Sequence, residues 1–332
     1  MQIETPYLLF LGSATDHLGV KIANSIVDWR PGLCVGEAAL PDCTITKGLP
    51  RLTPAEARER GARTFVVCAN NEGGRFDEAW VPMVMAALEA GLDVASGLHE
   101  RLADIPGVAA LARDKGRQLL DVRHYTGKKL RTGTGRKRAG QRLLTVGTDC
   151  SVGKMYTALA LEKEMLARDI DARFVATGQC GILVSGAGIA IDCVVADFIS
   201  GAAEMLSPDS DPAHWDLVEG QGSLAHPAFA GVTLGLVHGS QPDALVLCHF
   251  EGRKTLRGLP DYPLPDLAEA MDMHLEAARI TNKAARFVGI SVNTSALTEA
   301  ESRDVLAHYE AQTGLPSVDP LRTGVASIVD RL

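Results

Sequence analysis

The chain has 332 residues, 46% of them hydrophobic, and its 41 acidic against 33 basic side chains give a net charge of -8. That length exceeds what one hydrophobic core usually serves, so two domains are expected; the acidic balance argues against general nucleic-acid affinity while leaving room for a local anion site. Seven scattered cysteines without a C-x-x-C pair argue against a disulfide framework or a zinc site, and with no signal-like N-terminus and no apolar run of about 18 residues a soluble, cytoplasmic protein without a membrane partner is expected.

The chain opens as strand, turn and helix: residues 7–13 (YLLFLGS) are an apolar run ending in Gly, and 18–29 have helical spacing. Thr53, with Pro54 after it and Glu56 at the third position, starts a second helix with a hydroxyl cap. Residues 64–69 read as a buried strand, 77–90 as a helix, and 92–96 and 119–123 as two more strands. Such alternation predicts a parallel, doubly wound α/β sheet over 1–125, with ligands beyond the carboxyl ends of its strands. Residues 12–19 lack the full G-x-G-x-x-G, which makes a dinucleotide a poor expectation there, and the Gly-rich strand end at 70–75 is a candidate for polar substrate contacts. Residues 126–141 hold six Lys or Arg among four glycines and read as a linker; Arg136, Lys137 and Arg138 are candidates to face an anion.

The second domain, 142–332, begins with the most informative stretch. An apolar strand (LLTV) runs into Gly147-Thr148-Asp149-Cys150-Ser151-Val152-Gly153-Lys154-Met155 and then into a helix over 156–168. A helix start leaves backbone N–H groups unpaired and carries a partial positive charge, so a loop entering it can cradle phosphate oxygens, with Lys154 adding a point charge. The usual signature is G-x-x-x-x-G-K-[ST]; here the two glycines enclose five residues, and Met155 replaces the hydroxyl that would hold Mg²⁺. The nine residues Gly147 through Met155 are therefore expected to bind a pyrophosphate without metal-dependent phosphoryl transfer.

Residues 172–177 read as the next strand, followed by a loop over 178–189 with four glycines, and 191–204 as mostly helical with Asp192 and Asp197 as isolated carboxylates. Trp215-Asp216-Leu217-Val218-Glu219-Gly220-Gln221-Gly222-Ser223 is a strand whose tip presents Glu219 before a Gly-rich turn, where a carboxylate can bind a metal or act as a general base. His226 and His238 sit where strand ends converge, and His249 ends the strand over 244–249. The loop over 249–264 carries Arg253, Lys254 and Arg257, suited to carboxylates. A helix over 267–280, a strand over 286–292 and helices over 299–312 and 321–332 close the chain.

The loop Gly147-Thr148-Asp149 with Val152-Gly153-Lys154, and the Val218-Glu219-Gly220 tip, resemble those of dethiobiotin synthetase-like enzymes. Together with Thr177-Gly178-Gln179, the run from Ala196 to Glu204 (ADFISGAAE) and His238-Gly239-Ser240-Gln241-Pro242-Asp243, they make the chain resemble over nearly its whole length the DgcN-type D-glutamate N-acetyltransferases, a phosphate-loop family formerly of unknown function. The resemblance implies a Rossmann-like N-terminal domain and a P-loop NTPase-like C-terminal domain. It also implies acetyl transfer from acetyl-CoA to the amine of a D-amino acid, D-glutamate first, with the loop on the coenzyme's pyrophosphate and no metal required. The expected partners are this small-molecule substrate and further copies of the chain.

The chemistry asks for a neutral amine, a donor to the thioester oxyanion and cations for carboxylates. By position Glu219 or His226 is the expected base, with Asp192 in reserve; Gln179, Gln221, Arg253 and Arg257 are the expected substrate contacts; and the Cys150 thiol offers a covalent alternative. Two rival functions remain: an ATP-dependent ligase or kinase like dethiobiotin synthetase, and a non-catalytic sensor of a nucleotide or CoA compound.

Overall fold

The structure, a computed structural model, describes residues 2–17, 19–69 and 75–332; the Gly-rich strand end at 70–74 lies outside them. The chain divides into two compact units, Met1–Lys128 with Gly178–Cys193, and Lys129–Thr177 with Val194–Leu332. Among the described residues no helix is long and apolar enough to cross a membrane.

In the first unit five strands, β1 (Tyr7–Phe10), β2 (Cys34–Ala38), β3 (Thr64–Val67), β4 (Asp93–Ser96) and β5 (Leu119–Asp121), form a parallel sheet in the order β2-β1-β3-β4-β5. Helices α1 (Lys21–Trp29), α2 (Pro54–Glu59), α3 (Val81–Glu89) and α4 (Val108–Lys115) connect them. The start of α2 is as the sequence predicts: the Thr53 side chain accepts from the Glu56 N–H while Glu56 reaches back to the Thr53 N–H, and Pro54 opens the helix. Alternate residues of each strand fill the core, where the Phe10 ring stacks on Phe65 at 5.2 Å and meets Trp80 edge-on at 6.1 Å.

In the second unit the strands are β6 (Gln141–Gly147), β7 (Ala172–Val175), β8 (Trp215–Val218), β9 (Ala244–Phe250), a small antiparallel hairpin of β10 (Thr255–Leu256) and β11 (Leu259–Pro263), then β12 (Arg286–Asn293) and β13 (Ser317–Val318). The main sheet is parallel in the order β13-β12-β9-β6-β8-β7. Its helices are α5 (Lys154–Ala167), α7 (Ile199–Leu206), α8 (Ala230–Ser240), α9 (Leu267–Thr281), α10 (Glu299–Thr313) and α11 (Ala326–Val329); α6 (Gln179–Ser185) belongs to the first unit. Because β6 lies between β8 and β9, which continue in opposite directions across the sheet, its carboxyl end is a switch point where a loop can open toward a ligand.

Three local expectations change. The four-glycine run after β7 is not a loop throughout: Gln179–Ser185 is helical because Ile182, Leu183 and Val184 are buried, and Gly186 at φ 77° ends the helix in the left-handed conformation. It packs against α1, so a segment that follows β7 in sequence lies within the first unit. The loop after β9 folds into the β10–β11 hairpin, and the last helix shrinks to Ala326–Val329.

The basic run before β6 does not face an anion site. Arg136 pairs with Asp209, Lys137 with Asp243 at 2.9 Å, and Arg138 donates to the Gly239 and Ser240 carbonyls at the end of α8, at 2.6 and 3.1 Å. These bonds lie by the amino end of β6, whereas the phosphate loop leaves its carboxyl end, about 20 Å along a seven-residue strand.

Candidate functional site

The site is built where β6, β8 and β9 end. Register places Leu144 beside Val218 and Gly147 beside Cys248, so Glu219, just after β8, and His249, near the end of β9, flank the loop that follows Gly147. The loop is tied down by Thr148, whose N–H donates to the Cys248 carbonyl at 3.0 Å and whose carbonyl accepts from the Ser223 hydroxyl at 3.1 Å. It enters α5 through Gly153, at φ 103°, a conformation that a side chain would strain.

The start of α5 has no side-chain cap and no acidic residue in its first turn. The N–H groups of Lys154 and Met155 and the positive end of the helix dipole are therefore available to an anion. Lys154 lies buried beneath the loop, with Nζ donating to the Asp149 carbonyl at 2.9 Å. Burial pushes its ammonium pKa down, opposed by Cys248, Cys150, Asp149 and Glu219. An arriving anion would restore the stabilisation that water no longer supplies.

Two arginines from the β9–β10 connection and the hairpin cover the loop. Arg253 Nη1 donates to Asp149 Oδ2 and to the Cys150 carbonyl, both at 2.7 Å, and its guanidinium lies 4.9 Å from the Phe250 ring centre. The Arg257 backbone N–H donates to the same Asp149 oxygen at 2.8 Å, and its side chain donates to the Ser151 hydroxyl. Arg253 and Arg257, expected as carboxylate binders, thus meet the loop itself. Lys154, Arg253 and Arg257 make a cationic rim around it.

Glu219 is buried, with Oε2 accepting the Thr177 N–H at 2.9 Å, while its carbonyl accepts the Thr177 hydroxyl at 2.6 Å. The Gln221 amide donates to that same hydroxyl at 3.1 Å. His226 is engaged at both nitrogens: Nδ1 accepts the Ala228 N–H at 3.3 Å, which leaves Nε2 to donate to the Arg257 carbonyl at 3.1 Å. In this arrangement it pins the hairpin and offers no lone pair as a base.

His249 Nδ1 lies 3.1 Å from the Thr148 hydroxyl, its Nε2 lies 3.9 Å from Glu251, and Tyr309 donates to that carboxylate at 2.5 Å. Burial pushes the His249 pKa down, and Glu251 pulls it up. Thr145, Thr177, Ser223, Glu251 and Tyr309 were not singled out from the sequence as site residues. Thr177 and Ser223 stand within the Thr177-Gly178-Gln179 and Trp215-to-Ser223 motifs, Thr145 and Glu251 lie at or beside strand ends, and nothing in the sequence marks Tyr309.

Gln179 and Asp192 belong to the first unit. There Arg123 holds them both: it donates to Asp192 at 2.6 Å and, with the Gln179 amide turned to satisfy both its ends, to the Gln179 oxygen at 2.7 Å.

The loop's chemistry can be tested against its donors. Met155 offers no hydroxyl for Mg²⁺, and the next aliphatic hydroxyl along the helix, Thr157, bonds to the Gly153 carbonyl and Ser291 in the interior. Donor atoms of Asp149, Cys150 and His226 lie within 4.8 Å of one another. A metal there would have to displace the Arg253, Arg257 and Ala228 hydrogen bonds and sit among three cations, so this set fits a cation poorly. Burial raises the Cys150 pKa, with Lys154 the largest opposing influence, so the thiol is held protonated and is a weak nucleophile.

Residues 129–329 match the family described as the DUF1611 C-terminal P-loop domain, and residues 34–125 its N-terminal Rossmann-like domain. A protein from a Pseudoalteromonas species is 52% identical over 332 residues, all of both chains, and one from Tritonibacter scottomollicae is 52% identical over 99% of each; both are named D-glutamate N-acetyltransferase. The crystal structure of a DUF1611 family protein from Anabaena variabilis is 31% identical, covers 99% of each chain and superposes with a TM-score of 0.85. With both domains matched in order and relatives similar from end to end, this chain belongs to the DUF1611 family of paired Rossmann-like and P-loop domains.

Proposed function

We propose that the protein is an acyltransferase that moves an acetyl group from acetyl-CoA to the amine of D-glutamate, and that its phosphate loop grips the diphosphate of the coenzyme. The observation that carries this reading is the uncapped start of α5 ringed by Lys154, Arg253 and Arg257, with Met155 where a metal-binding hydroxyl would stand. Such a site binds an anion without Mg²⁺, as an acetyl donor requires and a phosphoryl donor does not. The named relatives support the substrate. The reaction converts the ammonium of D-glutamate and the thioester into an amide, free CoA thiol and one proton.

With the diphosphate at Lys154, the thioester lies a full pantetheine arm away, and so does the amine that attacks it. Glu219 and His226 are then too close to the loop to serve as base. Glu219 instead offsets the Lys154 charge and holds Thr177, and His226 holds the hairpin. One observation favours a second reading, in which the loop takes a carboxylate of D-glutamate: a buried carboxylate beside a cationic rim complements an amino-acid zwitterion, and Glu219 becomes the base.

The test is CoA release from acetyl-CoA across a panel of D- and L-amino acids in magnesium-free buffer, with CoA stabilisation followed by thermal shift. Stabilisation only by Mg-ATP overturns the reading, and binding without thiol release makes the protein a sensor. Glu219→Gln separates the two placements. With the diphosphate at the loop, kcat is expected to stay within about threefold; loss of a base would lower it about 10²- to 10⁴-fold and remove the acidic limb of the pH profile.

A further inference from the structure

We propose that Asp149 is a specificity-determining residue of the loop: an internal counter-anion that holds the local charge to a level suited to a diphosphate and unfavourable to a nucleoside triphosphate. The proposal deepens the coenzyme reading above and rests on it. Asp149 is completely buried inside the loop it belongs to, and both its carboxylate oxygens and its carbonyl meet the rim or the loop backbone. Oδ2 accepts Arg253 at 2.7 Å and the Arg257 N–H at 2.8 Å, Oδ1 accepts the Cys150 N–H at 2.6 Å, and its carbonyl accepts Lys154 at 2.9 Å.

The consequence follows from charge. Three cations, Lys154, Arg253 and Arg257, stand against two carboxylates, Asp149 and Glu219, leaving a single net positive charge beside the helix start. A metal-assisted loop tolerates a triphosphate because the ion carries two positive charges to it. Here Met155 provides no seat for that ion, and the Asp149 carboxylate sits within bonding distance of the same guanidinium that a terminal phosphate would seek. An added phosphate group therefore brings repulsion from Asp149 without a compensating cation, in a partly buried setting where screening by solvent is weak.

Asp149→Asn keeps an oxygen for Arg253 and the Arg257 N–H; it removes the charge and the acceptor of the Cys150 N–H. The probes are ADP and ATP, which differ by one phosphate, together with CoA, titrated by calorimetry in magnesium-free, low-salt buffer. The natural protein is expected to bind ADP more tightly than ATP. Asp149→Asn is expected to bind ATP at least about tenfold more tightly and to lose the preference for ADP. Unchanged ATP affinity in a variant with the natural melting temperature overturns the proposal.

Combining Asp149→Asn with Arg253→Met should return ATP binding to its starting value if the carboxylate acts by neutralising Arg253, and a retained gain overturns it. Should Asp149→Asn fail to fold, Arg253→Met alone decides: it leaves the carboxylate uncompensated and is expected to weaken ATP more than ADP, and equal weakening overturns the idea. Absence of CoA binding to the natural protein counts against the coenzyme reading, while the ADP-to-ATP comparison still decides the role of Asp149.

Discussion

Lys154→Ala is expected to raise KM for acetyl-CoA by about 30- to 150-fold while kcat at saturating coenzyme changes by no more than a few-fold. A charge-assisted hydrogen bond from a buried ammonium to a phosphate contributes about 2–3 kcal/mol, which converts to that range in affinity. In the proposed placement the thioester reacts a pantetheine arm away, so the lost contact is made equally in the ground and transition states, and uniform binding appears in KM. Stability should fall only modestly: removing the buried ammonium relieves its own desolvation penalty, but it leaves a small void and deprives Glu219 and the Asp149 carbonyl of their partner. Initial-rate kinetics with acetyl-CoA varied, alongside a melting curve, checks both halves; a fall in kcat with KM unchanged would place the lysine at the reacting atoms instead.

Gly220→Ala should do the opposite and damage the fold. A Cβ built on Gly220 would lie 1.7 Å from the Thr145 carbonyl oxygen and 2.9 Å from Lys154 Cδ, because the turn after β8 crosses against β6 at the base of the loop. Thr145 is a core residue of a central strand whose hydroxyl accepts the Gly220 N–H at 3.0 Å, so the backbone cannot give way without breaking the β6–β8 pairing. Overpacking of this kind costs about 3 kcal/mol or more when no rotamer can absorb it. For a unit of this size that lowers the melting temperature by about 6–12 °C. Gly231→Ala is the control: a Cβ there meets nothing within 4 Å, and it lies in the first turn of α8, where Ala is expected to add about 0.4–1 kcal/mol. A melting temperature for Gly220→Ala equal to that of the natural protein would contradict the close approach.

What could be read in the sequence was local. A strand running into a Gly-bounded loop and a Lys-initiated helix is one continuous segment, and β6, the loop and α5 stand where the order of residues placed them. The capping box at Thr53 is equally local. Long-range chemistry was not legible: Asp149 and Arg253 are 104 residues apart, and nothing in either segment announces that the loop's own carboxylate would hold the arginine expected to bind substrate. Composition misled in two places. Glycines at 178, 181 and 186 read as a loop because Gly lowers helix propensity, yet burial of three apolar side chains outweighs that cost. Arg136, Lys137 and Arg138 read as cations awaiting a ligand, whereas each already has a carboxylate or a helix end.

The excursion of residues 178–193 into the first unit limits how the polypeptide can be divided. The family boundary near residue 129 looks like a place to cut, but a fragment starting there carries α6 away from its bed and bares Ile182, Leu183 and Val184. Each such side chain loses about 1.5–3 kcal/mol of burial, a sum comparable to the whole stability margin of a domain, about 5–15 kcal/mol. The complementary piece, ending at 128, keeps α1 without the helix that covers it. The two halves recognised as separate families are interleaved parts of one heritable unit, and gene fission between them would leave two sticky, aggregation-prone products.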